Sequence, residues 1–101
     1  MRHFHPDILI IAIPNGGLRD VRTAARLKAE GVLAGTPDLL IPHACKGYNG
    51  LWIEMKRTAG GKVSEKQDRI AQQLTNNGYL VVITYGAEEA YAAFKDYFSI
   101  R

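Results

Sequence analysis

Hydrophobic and polar positions recur along this chain at two spacings, near-continuous or alternating for strands and every three to four residues for helices. Residues Ile8 to Ile13 form an unbroken aliphatic run closed by Pro14-Asn15-Gly16-Gly17, which predicts a strand buried on both faces and then a loop. From Leu18 to Glu30 the apolar positions Val21, Ala24, Ala25 and Leu27 repeat at helical spacing. Arg19, Arg22 and Arg26 stand mostly off that stripe, Lys28 lies close to it, and Gly31 supplies the stop. Gly35-Thr36-Pro37 then breaks the chain before a short strand, Asp38-Leu39-Leu40-Ile41-Pro42, that carries an acid at its very start. After a second break, His43 to Gly50, the run Leu51 to Lys56 alternates. Leu51, Ile53 and Met55 share one face, and Trp52, Glu54 and Lys56 share the other.

Thr58-Ala59-Gly60-Gly61-Lys62 reads as a flexible connection. Ser64-Glu65-Lys66-Gln67 matches a helix capping box, with Ser64 at the cap and Gln67 at its third position. The helix it opens is predicted to run to about Asn77, with Ile70, Ala71 and Leu74 as its inner stripe and Gln67 on that same stripe. Tyr79 to Tyr85 reads as another buried strand. Ala87 to Phe98 closes the chain as a helix with Ala90, Tyr91, Phe94, Tyr97 and Phe98 facing inward. The resulting order, β α β β α β α, predicts a single α/β domain over residues 1–101, a mixed sheet flanked by helices.

Composition narrows the functional classes. With 101 residues of which 47% are apolar, the chain is neither disordered nor fibrous. The longest apolar stretch, Ile8 to Pro14, is about a third of the ~20 residues a spanning helix requires, and the start has none of the marks of a signal peptide. A single cysteine, Cys45, forms no internal disulfide and supplies no thiolate cage, so an intracellular setting is expected and Cys45 reads as structural. A net charge of +3 without any run of like charges is compatible with a polyanionic partner and does not establish one.

Two acids and a lysine stand where strand edges meet loops. Asp38 opens one strand, and Glu54 and Lys56 share a face of the next. If the two strands are neighbours, these three side chains converge. That set suits metal-assisted phosphodiester hydrolysis. Two carboxylates hold a hard divalent cation such as Mg²⁺ or Mn²⁺, the cation acidifies a bound water, and the lysine orients that water or offsets charge growing on the phosphate. The main-chain carbonyl of Met55, between Glu54 and Lys56, is a natural further ligand. The competing account is purely structural: Asp38 caps a turn after Thr36-Pro37, while Glu54 and Lys56 form an exposed pair on an edge strand. An E-x-K triplet alone decides nothing, whereas a Pro-Asp step and an E-x-K strand set between glycine-marked loops is a more specific arrangement.

Other residues carry less. His3, His5 and His43 lack the cysteine pair and spacing of a zinc site. Asn15-Gly16-Gly17 lacks the spacing of either phosphate-binding glycine motif and reads as a turn open to close approach of a backbone. Arg19, Arg22, Arg26, Lys28, Lys46, Arg57 and Lys62 are candidate contacts for DNA phosphates, although scattered basic residues usually only solvate a surface. The aromatic residues sit on stripes that read as buried, which argues against an RNA-binding sheet face.

The segments Ala12 to Gly17, Leu27 to Val32, Gly35-Thr36-Pro37-Asp38-Leu39, Gly50 to Arg57, Ser64 with Gln67, and Asn77-Gly78-Tyr79 resemble the VRR-NUC domains of the PD-(D/E)XK nuclease superfamily, over nearly the whole chain. The resemblance implies a restriction-endonuclease-like fold and a metal-dependent endonuclease that selects DNA by its structure. It makes Asp38 and Glu54 the metal-binding acids, Lys56 the catalytic lysine, and Gln67 a helix residue reaching into the active site. It also implies a homodimer that cuts four-way junctions, the flap-cutting and catalytically silent forms of the same fold being the alternatives. A junction needs two symmetric cuts, and Tyr91, Phe94, Tyr97 and Phe98 are the surface from which a twofold contact is expected. Family members usually place a further acid on a helix before the first strand, and the seven residues preceding Ile8 are too few to form it.

Overall fold

The strands join into one four-stranded sheet in the order β1-β2-β3-β4. They are β1 (Ile11–Ala12), β2 (Leu39–Ile41), β3 (Leu51–Lys56) and β4 (Leu80–Tyr85), with helices α1 (Glu65–Asn76) and α2 (Ala87–Phe98). This computed structural model describes residues 7–13, 35–57 and 63–99; the helix expected over residues 18–30 lies outside them. The first two pairings are antiparallel and β3 pairs with β4 in parallel, so α1 is the crossover that a parallel pair requires. Its start is built as the capping box predicts: Ser64 Oγ accepts from Gln67 N–H at 3.1 Å, and Gln67 Oε1 accepts from Ser64 N–H at 3.0 Å.

The strict alternation of β3 separates two chemistries. Leu51 and Ile53 point to one face, where with Ile41 they meet Ala90, Phe94 and Tyr97 of α2 in the buried core. Trp52, Glu54 and Lys56 point to the other face, against α1. At the end of the sheet remote from Lys56, the core is tied down by polar bonds. Tyr97 Oη donates to the His43 carbonyl at 2.6 Å, and Cys45 Sγ donates to the Tyr97 carbonyl at 3.1 Å, which gives Cys45 a structural partner.

Three expectations change. The run from Ile8 to Ile13 is not a strand buried on both faces. Only Ile11 and Ala12 pair, both are exposed, Leu9 is 55% exposed, and Ile10 alone is buried. The cause is position: among the described residues β1 is an edge strand, paired with the three-residue β2. Tyr79 to Tyr85 is likewise only half-buried apart from Thr84, with Ile83 exposed, because β4 is the opposite edge. The aromatic stripe of α2 is turned inward. Phe94 and Tyr97 are buried, and Tyr91 and Phe98 are half-buried against the core, so the stripe is not the uncovered apolar patch expected.

Candidate active site

The register of β2 against β3 pairs Leu39 with Ile53, and one step outward this places Asp38 opposite Glu54. Asp38 is held on both sides through its backbone. Its N–H donates to the Ile53 carbonyl at 3.0 Å and its carbonyl accepts from Ile13 N–H at 2.7 Å. Because β2 begins only at Leu39, the inward N–H of Met55 has no strand residue opposite it, and Asp38 Oδ2 accepts that bond at 2.8 Å. One carboxylate oxygen is thus committed to holding the side chain across the strand. The approach to Asp38 also depends on Gly35. Its φ is +93°, and a Cβ there would lie 2.9 Å from the Lys66 carbonyl carbon in the first turn of α1.

Glu54, Lys56 and Gln67 form a closed network. Gln67 Nε2 donates to Glu54 Oε2 at 2.9 Å, Lys56 Nζ donates to Gln67 Oε1 at 2.7 Å, and Lys56 Nζ stands 3.8 Å from Glu54 Oε2. Gln67 uses an acceptor toward the lysine and a donor toward the carboxylate, which neither Glu nor Lys at that position could do. Its capping-box bond and its bond to Lys56 share the same oxygen, so the start of α1 and the position of the ammonium are fixed together. Below, Thr84 Oγ1 donates to the Glu54 carbonyl at 3.3 Å. The sequence reading missed Thr84; its one signal was a hydroxyl inside an otherwise aliphatic strand.

Glu54 is only 7% exposed. Burial, reinforced by the negative charge of Asp38, raises its carboxyl from 4.5 to about 7, and Lys56 offsets this only in part. Two carboxylates thus share the site with a single ammonium, that of Lys56. Asp38 and Glu54 supply oxygen ligands of the hard kind that Mg²⁺ and Mn²⁺ prefer. In an extended strand the N–H and C=O of one residue point to the same side, so the Met55 carbonyl faces the side from which Asp38 reaches its N–H. These residues fit a divalent cation held by Asp38, Glu54 and the Met55 carbonyl. Among the described residues no three His, Cys, Asp or Glu side chains cluster, so no third described carboxylate joins that set.

The basic candidates divide. Arg57 follows Lys56 directly in sequence and is exposed. Lys46 lies at the far end of the sheet with φ of 52°, where its Nζ donates to the Asp96 carbonyl at 2.6 Å and to Ser99 Oγ at 3.2 Å, closing the C-terminus of α2. Arg19, Arg22, Arg26, Lys28 and Lys62, and also Asn15-Gly16-Gly17, fall outside the described residues, as do His3 and His5. His43 Nε2 accepts from Leu9 N–H at 3.0 Å, which is a structural use of the imidazole.

The family model for the VRR-NUC domain matches residues 7–88 of the chain. A solved structure described as a VRR_NUC domain protein is similar at 30% sequence identity with a TM-score of 0.73. The similarity covers 88% of this chain and 66% of that one, so the chain spans just under two thirds of the similar protein's length. No curated protein matches the chain.

Proposed function

This chain belongs to the VRR-NUC domain family, and from that premise and the geometry of its site we propose that it is a metal-dependent, structure-selective DNA endonuclease. The reading is a Mg²⁺- or Mn²⁺-dependent enzyme that acts as a homodimer on four-way junctions. The observation that carries the hydrolytic part is the pairing of Asp38 and Glu54 across β2 and β3 with the Glu54–Gln67–Lys56 network beside them. Buried polar networks of this sort are costly when any member is left unsatisfied.

In this reading Asp38, Glu54 and the Met55 carbonyl hold the cation. When bound, the cation supplies an acidified water and offsets charge on the scissile phosphate. Lys56 donates from Nζ to the attacking water or to a phosphate oxygen, and Gln67 keeps that ammonium aimed while its own amide N–H holds Glu54. Asp38 stays oriented through the Met55 N–H, which leaves its second oxygen as the one that would hold the cation. Arg57 contributes a phosphate contact. A second reading, a DNA-binding module that cleaves weakly or not at all, is favoured by the set of only two carboxylates among the described residues.

Incubation with a four-way junction, a flap and a linear duplex of matched length, each with Mg²⁺, Mn²⁺ or EDTA, separates these readings. The proposal expects paired symmetric nicks in the junction with either cation and none in EDTA. Binding without cleavage under every condition supports the second reading, and cleavage of the flap alone, by a monomer in sedimentation, replaces the junction substrate.

A further inference from the structure

Two residues before Glu54 on the same face of β3, Trp52 lines an open cleft of about 420 Å³ between the sheet and α1. Clefts that hold small ligands start at roughly 300 Å³. The cleft is built for an aromatic guest. Trp52 meets Tyr79 edge to face, with ring centroids 6.4 Å apart at 73°. Ile70 and Leu74, one turn apart on α1, form the facing wall, and the exposed Gln73 stands at the rim. Among the described residues the lining contains no side chain that is charged at neutral pH, which suits a neutral guest better than a phosphate or a metal. The indole Nε1–H of Trp52 is buried and has no hydrogen-bond partner among the described residues.

The cleft is also continuous with the candidate active site. Trp52 precedes Glu54 by two residues on the same face of β3, which sets them roughly 7 Å apart along an extended strand, and Thr36, on the lining, precedes Asp38 by two. We propose that this cleft is a nucleobase site, which takes one unpaired base from the strand whose phosphate lies at Asp38 and Glu54 and stacks it against Trp52. The inference rests on the DNA-cleaving reading above and adds how the chain selects its substrate. A flat, neutral heterocycle with a π-face and a polar edge matches an aromatic floor with an amide rim, and a base still paired inside a duplex cannot enter. Branched DNA offers unpaired bases, and intact duplex does not.

Trp52 is the single tryptophan of the chain, so its emission reports directly on the cleft. The test uses the full chain in EDTA, where no cleavage intervenes. It compares a blunt duplex with a duplex of the same length carrying a three-nucleotide gap. Affinity is read by anisotropy on labelled DNA, and tryptophan emission by titration with unlabelled DNA. The gapped DNA is expected to quench Trp52 and to bind about tenfold more tightly, which is within what stacking one base on an aromatic side chain provides. Leu74→Phe, which fills the cleft with a ring, and Gln73→Glu, which puts a negative charge on the exposed rim without touching the core, should each reduce that preference several-fold. Equal binding of both DNAs with unchanged emission overturns the nucleobase site and leaves the nuclease reading standing. Failure to bind either DNA overturns that reading, and the nucleobase site with it.

Discussion

Replacing Glu54 with Gln should stabilise the cation-free protein, and increasingly so as pH rises. The carboxyl is raised from 4.5 to about 7 by burial and by Asp38, so the folded state holds its proton more tightly than the unfolded chain does. The sign follows from linkage. Glu54's contribution to stability is fully present below pH 4.5, declines as pH rises through that window, and is lost above about 7. Each pH unit of separation is worth about 1.4 kcal/mol, so the gap between 4.5 and about 7 sets a ceiling of about 3.5 kcal/mol. The substitution removes that loss and keeps an oxygen to accept from Gln67 Nε2, but it leaves Lys56 without the carboxylate 3.8 Å away. A net gain of about 1–2 kcal/mol at pH 8 remains, or roughly 4–16 °C in Tm for a domain of this size, and the gain should be smaller at pH 5. Thermal denaturation in EDTA at pH 5, 6.5 and 8 measures it. A variant less stable than the parent at pH 8, or one whose difference from the parent does not change with pH, would refute the argument that this carboxylate is held against its electrostatic preference.

The other consequences are more direct. Ser64→Ala removes the cap of α1 and should cost about 1 kcal/mol; because Gln67 is held by the same box, cleavage should fall as well, read in a single-turnover assay on the folded variant. Lys46→Ala should lower Tm by a few degrees through loss of its bonds at the C-terminus of α2, and leave the salt dependence of DNA binding unchanged, since its ammonium is engaged far from Lys56. Gly78→Ala should destabilise the protein by about 1 kcal/mol or more in urea unfolding, because φ is +89° and the new Cβ would collide with the Asn49 side-chain amide.

Much of the site was legible because it rests on local rules. Period-two alternation is enough to put Trp52, Glu54 and Lys56 on one face, and a capping box is enough to start a helix at Ser64 with Gln67 one turn in. What stayed hidden depended on which element ended up beside which. The aliphatic run at Ile8 looks like a central strand until it proves to lie at the sheet edge, beside the three-residue β2. Asp38 reads equally well as a turn cap until the register sets it opposite Glu54, and in the structure it caps the Met55 N–H as well as joining the site. Lys46 is one surface lysine among several in the sequence, and only the return of α2 past the 45–48 turn gives it the Asp96 carbonyl. The aromatic stripe of α2 looked too wide for one sheet face, yet the core accommodates all four rings. The cleft at Trp52 has no sequence signature, since it is the space left between α1 and the sheet.

The central claim, that Asp38, Glu54 and Lys56 together form a cation-dependent phosphodiester-cleaving site, is tested most directly by single-turnover cleavage of one branched DNA by four proteins: the parent, Asp38→Asn, Glu54→Gln and Lys56→Met, each confirmed folded by circular dichroism and assayed in Mg²⁺ and in EDTA. The account predicts cleavage by the parent only with the cation, and a fall of about a hundredfold or more in each variant, the scale expected when one charge-stabilising group is removed. Cleavage by the parent in EDTA at an undiminished rate, or near-parental rates in any two of the variants, would contradict it.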